Sequence, residues 1–214
     1  MTKLLHYLKA FVLFLLLQSP FTFAEKVVFS HQLKVGDVIL ISLNCMQCRY
    51  IESETGAPYS HSSIVLQTIP NILVAQALGS VHVTTMDKFL KPMTPKSIIS
   101  VMRPREFQNN SLSDKLVKIY YSNFDGLPFD GQYLWENVDE WGREKIYCSE
   151  LILKLLNTVL TKSIEPEILI YQKHFDYWDK VFKGNVPQNE WGNSPASLFR
   201  DRENFEYIGQ LTQE

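Results

Sequence analysis

The chain has 214 residues and a formal net charge of −2, and it is 45% hydrophobic and 21% charged. This composition excludes a disordered, collagen-like or low-complexity chain, and the lack of a basic excess argues against nucleic acid as a partner. The length predicts one domain with a full hydrophobic core. Three cysteines are too few for a disulfide scaffold, and their odd number leaves at least one unpaired within the chain.

The N-terminus has the three-part pattern of an export signal. A short basic start precedes an apolar run at residues 10–17 and a small-residue end, Thr22-Phe-Ala24. The run is too short for a spanning helix, which needs roughly 20 apolar residues. We therefore expect a signal peptide at residues 1–24, cleaved after Ala24, and a periplasmic or secreted protein without a transmembrane span. An uncleaved anchor is the alternative.

Residues 25–214 are predicted to form a single α+β domain in which a small antiparallel sheet packs against helices. Short apolar or β-branched runs between turn residues predict strands at residues 35–42, 62–67, 72–78, 81–84, 97–103 and 205–208. Apolar spacing and capping residues predict helices at residues 44–56, 85–90, 111–123, 148–160 and 174–183. Residues 126–135, which are rich in aromatics, and residues 191–195 are predicted loops.

Cys148 begins the clearest predicted helix, whose apolar face includes Leu151, Leu155 and Val159. A thiol at a helix N-terminus faces unpaired backbone N–H groups and the positive end of the helix dipole, and both favour the thiolate. The position suits a nucleophile. A small cysteine buried for packing is an equally good interpretation of the spacing alone.

A cysteine nucleophile needs a base, and His61 is the best placed of the five histidines because it stands at the mouth of a predicted strand. A lone strand histidine is more often structural. If residues 62–67 and 72–78 form a hairpin, Ser63 faces Gln76, and His61 lies one diagonal step away on the same face. The Gln76 oxygen would then accept from the imidazole N–H and fix its tautomer. A slip of one residue would move Gln76 to the other face.

Short motifs in a particular order resemble the YiiX-like proteins, which are circularly permuted members of the NlpC-like, papain-fold cysteine hydrolases. The motifs are Gly36-Asp-Val-Ile-Leu40, Tyr59-Ser-His61, Val74-Ala-Gln-Ala-Leu-Gly79, Leu127-Pro-Phe-Asp130, Tyr147-Cys-Ser-Glu-Leu151 and Ser194-Pro-Ala-Ser-Leu198. The resemblance covers most of residues 34–200. It implies a permuted papain-like (NlpC-like) fold, in which the histidine strand precedes the cysteine helix.

The resemblance also implies roles for individual residues. Cys148 would be the nucleophile, His61 the general base and Gln76 the polar residue that orients the base. Many relatives have glutamate at the third position, so Gln76 is a departure, and a neutral amide stabilises an imidazolium less. The Cys148 backbone N–H would stabilise the oxyanion, with Tyr133 or Tyr59 as candidate side-chain donors. Glu150, in the first helical turn, is a candidate substrate contact, although an acid there also suits the helix dipole.

Cys45 and Cys48 have a Cys-x-x-Cys spacing beside a predicted strand. A local disulfide in an oxidising compartment is the first interpretation. A thioredoxin-like redox site lacks the expected βαβ context, and a zinc site lacks two further ligands. Pairing these two leaves Cys148 as the free thiol. We expect no metal and no cofactor.

The leading functional hypothesis is an exported cysteine hydrolase that cleaves an amide or ester of a cell-envelope peptide or lipid-like substrate through a thioester. An acyltransferase on lipid amides or esters, a non-catalytic envelope-binding module and a thiol–disulfide protein using Cys45 and Cys48 are the alternatives. Phe129, Tyr133, Trp135 and Trp141 could line an apolar cleft, and a deep apolar pocket would favour acyl chains over peptides.

Overall fold

The computed structural model describes residues 26–107 and 110–212, so the predicted signal peptide lies outside the described residues. The strands are β1 Val27–Val28, β2 Val38–Ile41, β3 His61–Gln67, β4 Leu73–Leu78, β5 Ser80–Thr85, β6 Ser100–Pro104, β7 Glu167–Ile168, β8 Trp191–Gly192 and β9 Phe205–Leu211. The α-helices are α1 Met46–Thr55, α2 Met86–Leu90, α3 Asn110–Ile119, α4 Cys148–Asn157, α5 Phe175–Val181 and α6 Pro195–Arg200. No helix in the described ranges is long and apolar enough to cross a membrane.

One sheet of seven strands organises the fold, in the order β1-β9-β6-β2-β3-β4-β5. Its neighbours pair antiparallel except β1, which joins β9 in parallel. The strands β7 and β8 form a separate small ladder. The predicted mixture of an antiparallel sheet and packed helices is confirmed.

The register of the β3–β4 hairpin is the one predicted from the sequence. Ile64 pairs with Ala75 and Val65 with Val74, and an irregularity follows Val65. This register places Gln76 on the same face as His61. Because β4 continues into β5 with Gln76 opposite His82, the three polar side chains share one face of three adjacent strands.

Helix α4 packs on the opposite face of the sheet. Its buried residues Leu151, Ile152 and Leu155 share a core cluster with Ile64 of β3 and Ala75 of β4. Burying a side chain of this size stabilises the fold by about 1.5–3 kcal/mol. The broad apolar face of the predicted helix is therefore what fixes α4, and with it Cys148, against the sheet.

Several elements differ from prediction at their ends. The helix predicted for residues 148–160 ends at Asn157, because the amide N–H of Thr158 turns back to the Leu155 carbonyl. The predicted helix over residues 111–123 ends as a π-turn at Tyr120–Phe124. The sequence carries no periodic signal for β1, β7, β8 and α6, because these elements are too short. The three strands have two residues each and the helix has six.

A buried ion pair ties the start of β2 to β6. The Asp37 carboxylate, which is fully buried, accepts from Arg103 Nε and Nη2 at 2.7 Å each and from the Lys34 N–H at 2.8 Å. Gly36 precedes it with φ 94°, and a Cβ there would lie 2.3 Å from the Phe107 ring. The turn therefore needs glycine at position 36 for its backbone conformation and aspartate at position 37 for the ion pair with Arg103.

Asp37→Ala should lower the free energy of unfolding by about 3 kcal/mol, because it leaves a largely buried guanidinium without its partner. Urea unfolding followed by circular dichroism measures the change. Glu203→Ala, which removes an ion pair with Lys162 that is exposed on both sides, is the control and should leave stability unchanged. Equal stability of the two variants would contradict the role given to Asp37.

Candidate active site

A cavity of about 310 Å³ lies where the start of α4 meets the start of β3. Cys148 and His61 both line it. Most of the other lining side chains are aliphatic or aromatic, among them Leu43, Ile51, Ala77, Leu78, Phe129, Leu169, Ile170, Tyr171, Trp178 and Pro195. The site is therefore an apolar cavity with a thiol and an imidazole in its wall.

Cys148 is the first residue of α4, and its thiol is free and buried. Burial raises the pKa of the thiol, and nearby backbone N–H groups, those of Cys148 and Ser149 among them, offset this only in part. The position at the helix start favours the thiolate, but the desolvation of the enclosed sulfur has the larger effect on its pKa. The free Cys148 side chain is therefore a neutral thiol near pH 7.

His61 is almost fully buried, and its Nε2 lies 2.8 Å from Gln76 Oε1. An amide oxygen only accepts, so the imidazole Nε2–H donates to Gln76. Burial lowers the pKa of His61 to about 4, and the Gln76 hydrogen bond counteracts this only in part. The ring is neutral near pH 7, which is the state a general base requires.

The sulfur and the ring line the same cavity. Within the described residues the hydrogen bond of the His61 ring goes to Gln76, and none joins it to Cys148 Sγ. Such bonds are often long in ligand-free sites and tighten when the substrate binds. The structure brings His61 and Gln76 into contact and brings Cys148 to the same wall.

Tyr133 is the oxyanion candidate that lines the cavity. Its hydroxyl accepts from Gln47 Nε2 at 3.1 Å, so its own proton is available to another acceptor. Burial, followed by the nearness of Cys148, raises the pKa of Tyr133 far above the usual range, which keeps the hydroxyl a donor. Its backbone is left-handed, with φ 54°, a conformation that often marks functional positions.

The loop that carries Tyr133 is held by Asp130, which is fully buried. The Asp130 carboxylate accepts from the N–H groups of Gln132 and Leu134 and from Asn137 Nδ2, all at 2.8 to 2.9 Å. These bonds close the backbone around Tyr133 on both sides. The aromatic loop is therefore a fixed wall of the cavity.

Tyr59 and Glu150, the other two candidate contacts, are not among the residues that line the cavity. The Tyr59 hydroxyl bonds to Ser100 Oγ at 2.7 Å in the core. Glu150 accepts from the Tyr147 N–H at 3.3 Å and pairs with Lys154 at 2.8 Å, so it closes the first turn of α4. Burial raises the pKa of Glu150 to about 7.

A disulfide joins Cys45 and Cys48 at the start of α1, and both residues line the cavity. Cys45 Sγ also accepts from the Cys48 N–H at 3.0 Å, which caps the helix. In the described ranges no group of three or more histidine, cysteine, aspartate or glutamate side chains could hold a metal ion.

The predicted aromatic lining is present in part. Phe129 and Tyr133 face the cavity, whereas Trp135 stacks under Lys154 Nζ at 4.6 Å and Trp141 is 72% exposed. Side chains of a loop follow no fixed period, so the sequence could not separate these two pairs.

Asn193 is a site residue that the sequence reasoning missed. Its Nδ2 donates to the Ser149 carbonyl at 2.8 Å and its backbone N–H to the Tyr147 hydroxyl at 2.9 Å. It lines the cavity, and its buried Oδ1 has no hydrogen-bond partner among the described residues. Its place between Gly192 and a Ser-Pro helix start was the available signal.

Residues 32–204 match the family described as "Permuted papain-like amidase enzyme, YaeF/YiiX, C92 family". The chain belongs to this family, so its class is that of the permuted papain-like amidases. The order of a histidine strand before a cysteine helix, read from the sequence, is the order in this fold. No curated protein matches the chain.

Among solved structures, the chain is similar to YiiX from Escherichia coli O157:H7, with a TM-score of 0.71 and 20% sequence identity. The match covers 84% of this chain and 98% of that one. At this identity the likeness shows the fold. That protein is described as a metalloprotein. Because the residues described for this chain form no cluster of three metal ligands, we derive no step through a metal.

Alkylation of Cys148 by iodoacetamide should be slow at neutral pH and should rise through a midpoint above ~8.5, the ordinary pKa of a cysteine. The raised pKa leaves little thiolate at pH 7, and thiolate is the reactive form. Mass spectrometry of the intact protein over a pH series measures the rate. The urea-unfolded chain without reductant is the control, since Cys45 and Cys48 stay paired and the same thiol is then solvated. A midpoint below neutral would contradict the effect of burial.

Proposed function

We propose that this chain is an exported cysteine hydrolase that cleaves an amide or ester of an acylated, lipid-like cell-envelope substrate. Cys148 is the nucleophile, His61 the general base and Gln76 the orienting residue. The observation that carries the proposal is the meeting of a free thiol and a neutral, hydrogen-bonded imidazole in one apolar cavity. Family membership supports the amidase class, and the predicted signal at residues 1–24 supports export.

The reaction begins from two neutral groups. Cys148 Sγ attacks the substrate carbonyl carbon while its proton passes to His61 Nδ1, whose lone pair is free because Nε2–H donates to Gln76. The tetrahedral intermediate expels the amine or alcohol, which takes the proton from His61, and a thioester to Cys148 remains. Water then attacks the thioester carbonyl as His61 accepts its proton, and the proton returns to the sulfur as the acid leaves.

The oxyanion of each tetrahedral intermediate needs donors at a fixed place. The Cys148 backbone N–H at the start of α4 is one, because the first N–H groups of a helix have no intrahelical partner. The Tyr133 hydroxyl is the other, since Gln47 occupies its acceptor side and leaves its proton available. Asn193 Oδ1 would accept from the N–H of an amide substrate.

The cavity favours an acyl chain over a peptide as the bound group. Most of its lining side chains are aliphatic or aromatic, and the disulfide of Cys45 and Cys48 adds to this apolar surface. Burying each methylene in such a site is worth about 0.8 kcal/mol, which is a factor of about four in affinity. Along this apolar part of the lining a peptide backbone would leave N–H and C=O groups unpaired, at a cost of about 1–3 kcal/mol per group.

An acyl-chain series separates these substrate classes. With p-nitroanilides and p-nitrophenyl esters from acetyl to decanoyl, kcat/KM should rise about fourfold per methylene until the cavity is filled. Release of the chromophore measures turnover, and short cell-wall peptide amides serve as the competing substrates. Faster cleavage of the peptide amides than of any acyl substrate would contradict the lipid-like class while leaving the hydrolase class standing.

Matched variants test the assignment of the residues in the same assay. Cys148→Ala and His61→Ala should abolish turnover, whereas His31→Ala, an exposed histidine outside the cavity, should not change it. Mass spectrometry of the wild-type enzyme during turnover should find an acyl adduct on Cys148. Binding of acyl ligands without turnover by both wild type and Cys148→Ala would favour the non-catalytic module. Transfer of the acyl group to an added amine in preference to water would favour the acyltransferase.

Tyr133→Phe should lower kcat about a hundredfold, because it removes one oxyanion donor and keeps the ring. KM should change little, since the hydroxyl interacts with the transition state more than with the substrate. Tyr171→Phe is the control, because Tyr171 lines the same cavity and has no part in the proposed step. A Tyr133→Phe variant with the wild-type kcat would remove Tyr133 from the mechanism.

A further inference from the structure

A hydrogen-bonded chain continues beyond Gln76 to a second histidine. Gln76 Nε2 lies 3.1 Å from His82 Nε2, and His82 Nδ1 lies 2.9 Å from the Ser80 carbonyl oxygen. With the bond from His61 to Gln76 at 2.8 Å, four residues form one path from a backbone carbonyl to the proposed base.

The backbone carbonyl sets the direction of every bond along this path. A carbonyl oxygen only accepts, so His82 Nδ1–H donates to Ser80. In the neutral form of the ring the second nitrogen of His82 is then an acceptor, and it takes a hydrogen from the Gln76 amide. This turns Gln76 Oε1 toward His61, whose Nε2–H donates to it.

The opposite orientation of Gln76 is disfavoured by the same chain. A flipped amide would face its oxygen to the lone pair of His82 Nε2 and its N–H₂ group to His61 Nε2. His61 would then have to carry its proton on Nδ1, the nitrogen that must accept the Cys148 proton. An amide offers both orientations, whereas a carboxylate only accepts, so a site with Gln76 in this position needs a further group to select one.

The sheet fixes His82 for this task. Gln76 and His82 are directly paired residues of β4 and β5. The neighbouring Val81 is bonded on its outer side to the loop through the Leu127 carbonyl and the Gly126 N–H, at 2.8 and 2.9 Å. The positions of Gln76 and His82 are therefore fixed by the pairing of the backbone on both sides of β5.

From these contacts we infer that His82 is a positioning residue: anchored on the Ser80 carbonyl, it orients the Gln76 amide and so keeps His61 in the tautomer with a free Nδ1. The inference rests on the proposed function, in which His61 is the base. It assigns His82 no contact with the substrate or the reacting atoms.

The tautomer of His61 can be read without any substrate. In ¹⁵N-labelled wild-type protein at pH 8, above the ordinary pKa of histidine, the ring ¹⁵N shifts should place the His61 proton on Nε2. His82→Ala should give a mixture of the two tautomers. His82→Glu offers only acceptors and should restore the wild-type shifts, whereas His82→Lys offers only donors and should move the proton to Nδ1. Wild-type His61 shifts in both His82→Ala and His82→Lys would overturn the inference.

Kinetics on the acyl substrates give the second measurement. His82→Ala should lower kcat about tenfold with KM nearly unchanged, the scale of losing a group that orients a functional side chain. His82→Glu should recover most of this loss and His82→Lys should not. Thr84→Ala, on the same face of β5, is the control for local packing, and thermal unfolding verifies that each variant is folded.

The two measurements separate the inference from the function on which it rests. If wild-type protein cleaves no substrate, the proposed function fails, and the ¹⁵N shifts still decide whether His82 sets the tautomer. If wild type is active and His82→Ala keeps its full kcat, the role of His82 is overturned and the hydrolase stands.

Discussion

The packing of α4 against β3 and β4 is the interaction on which the site depends. Leu151, Ile152 and Leu155 are removed from water on one side of the sheet, and removing any of these side chains from such a core would cost about 2–5 kcal/mol. The same packing holds Cys148 rigidly at the edge of the cavity. It also encloses the sulfur, so the packing that positions the Cys148 thiol is also the packing that raises its pKa.

Desolvation therefore governs the chemistry of the whole site. It keeps both the thiol of Cys148 and the ring of His61 neutral, with the pKa of His61 near 4. In such a setting the neutral Gln76 amide, hydrogen-bonded between His61 and His82, avoids the cost of burying a carboxylate. A neutral amide, however, stabilises the protonated imidazole of His61 less than a carboxylate would.

The cavity walls come from segments that are distant in sequence and tied together by buried or partly buried carboxylates. Asp130 closes the loop under Tyr133. Glu54 of α1 accepts from Trp178 Nε1 at 3.0 Å and from the Lys173 N–H at 3.0 Å, which joins α1 to the segment that leads into α5. The apolar surface next to Cys148 is thus held in place by polar anchors, one of which, Glu54, also lines the cavity.

The sequence by itself determined the sheet-and-helix class, the start of α4 at Cys148 and the register that brings Gln76 to the face of His61, because these follow from local periodicity and from the pleat of a hairpin. It could not separate Tyr133, which lines the cavity, from Tyr59, which bonds to Ser100, since identical side chains in irregular segments carry no period. Nor could it find Asn193 or join His82 to Gln76. Only the tertiary structure decided these contacts and the neutral state of Cys148, because burial and long-range pairing depend on how distant segments pack.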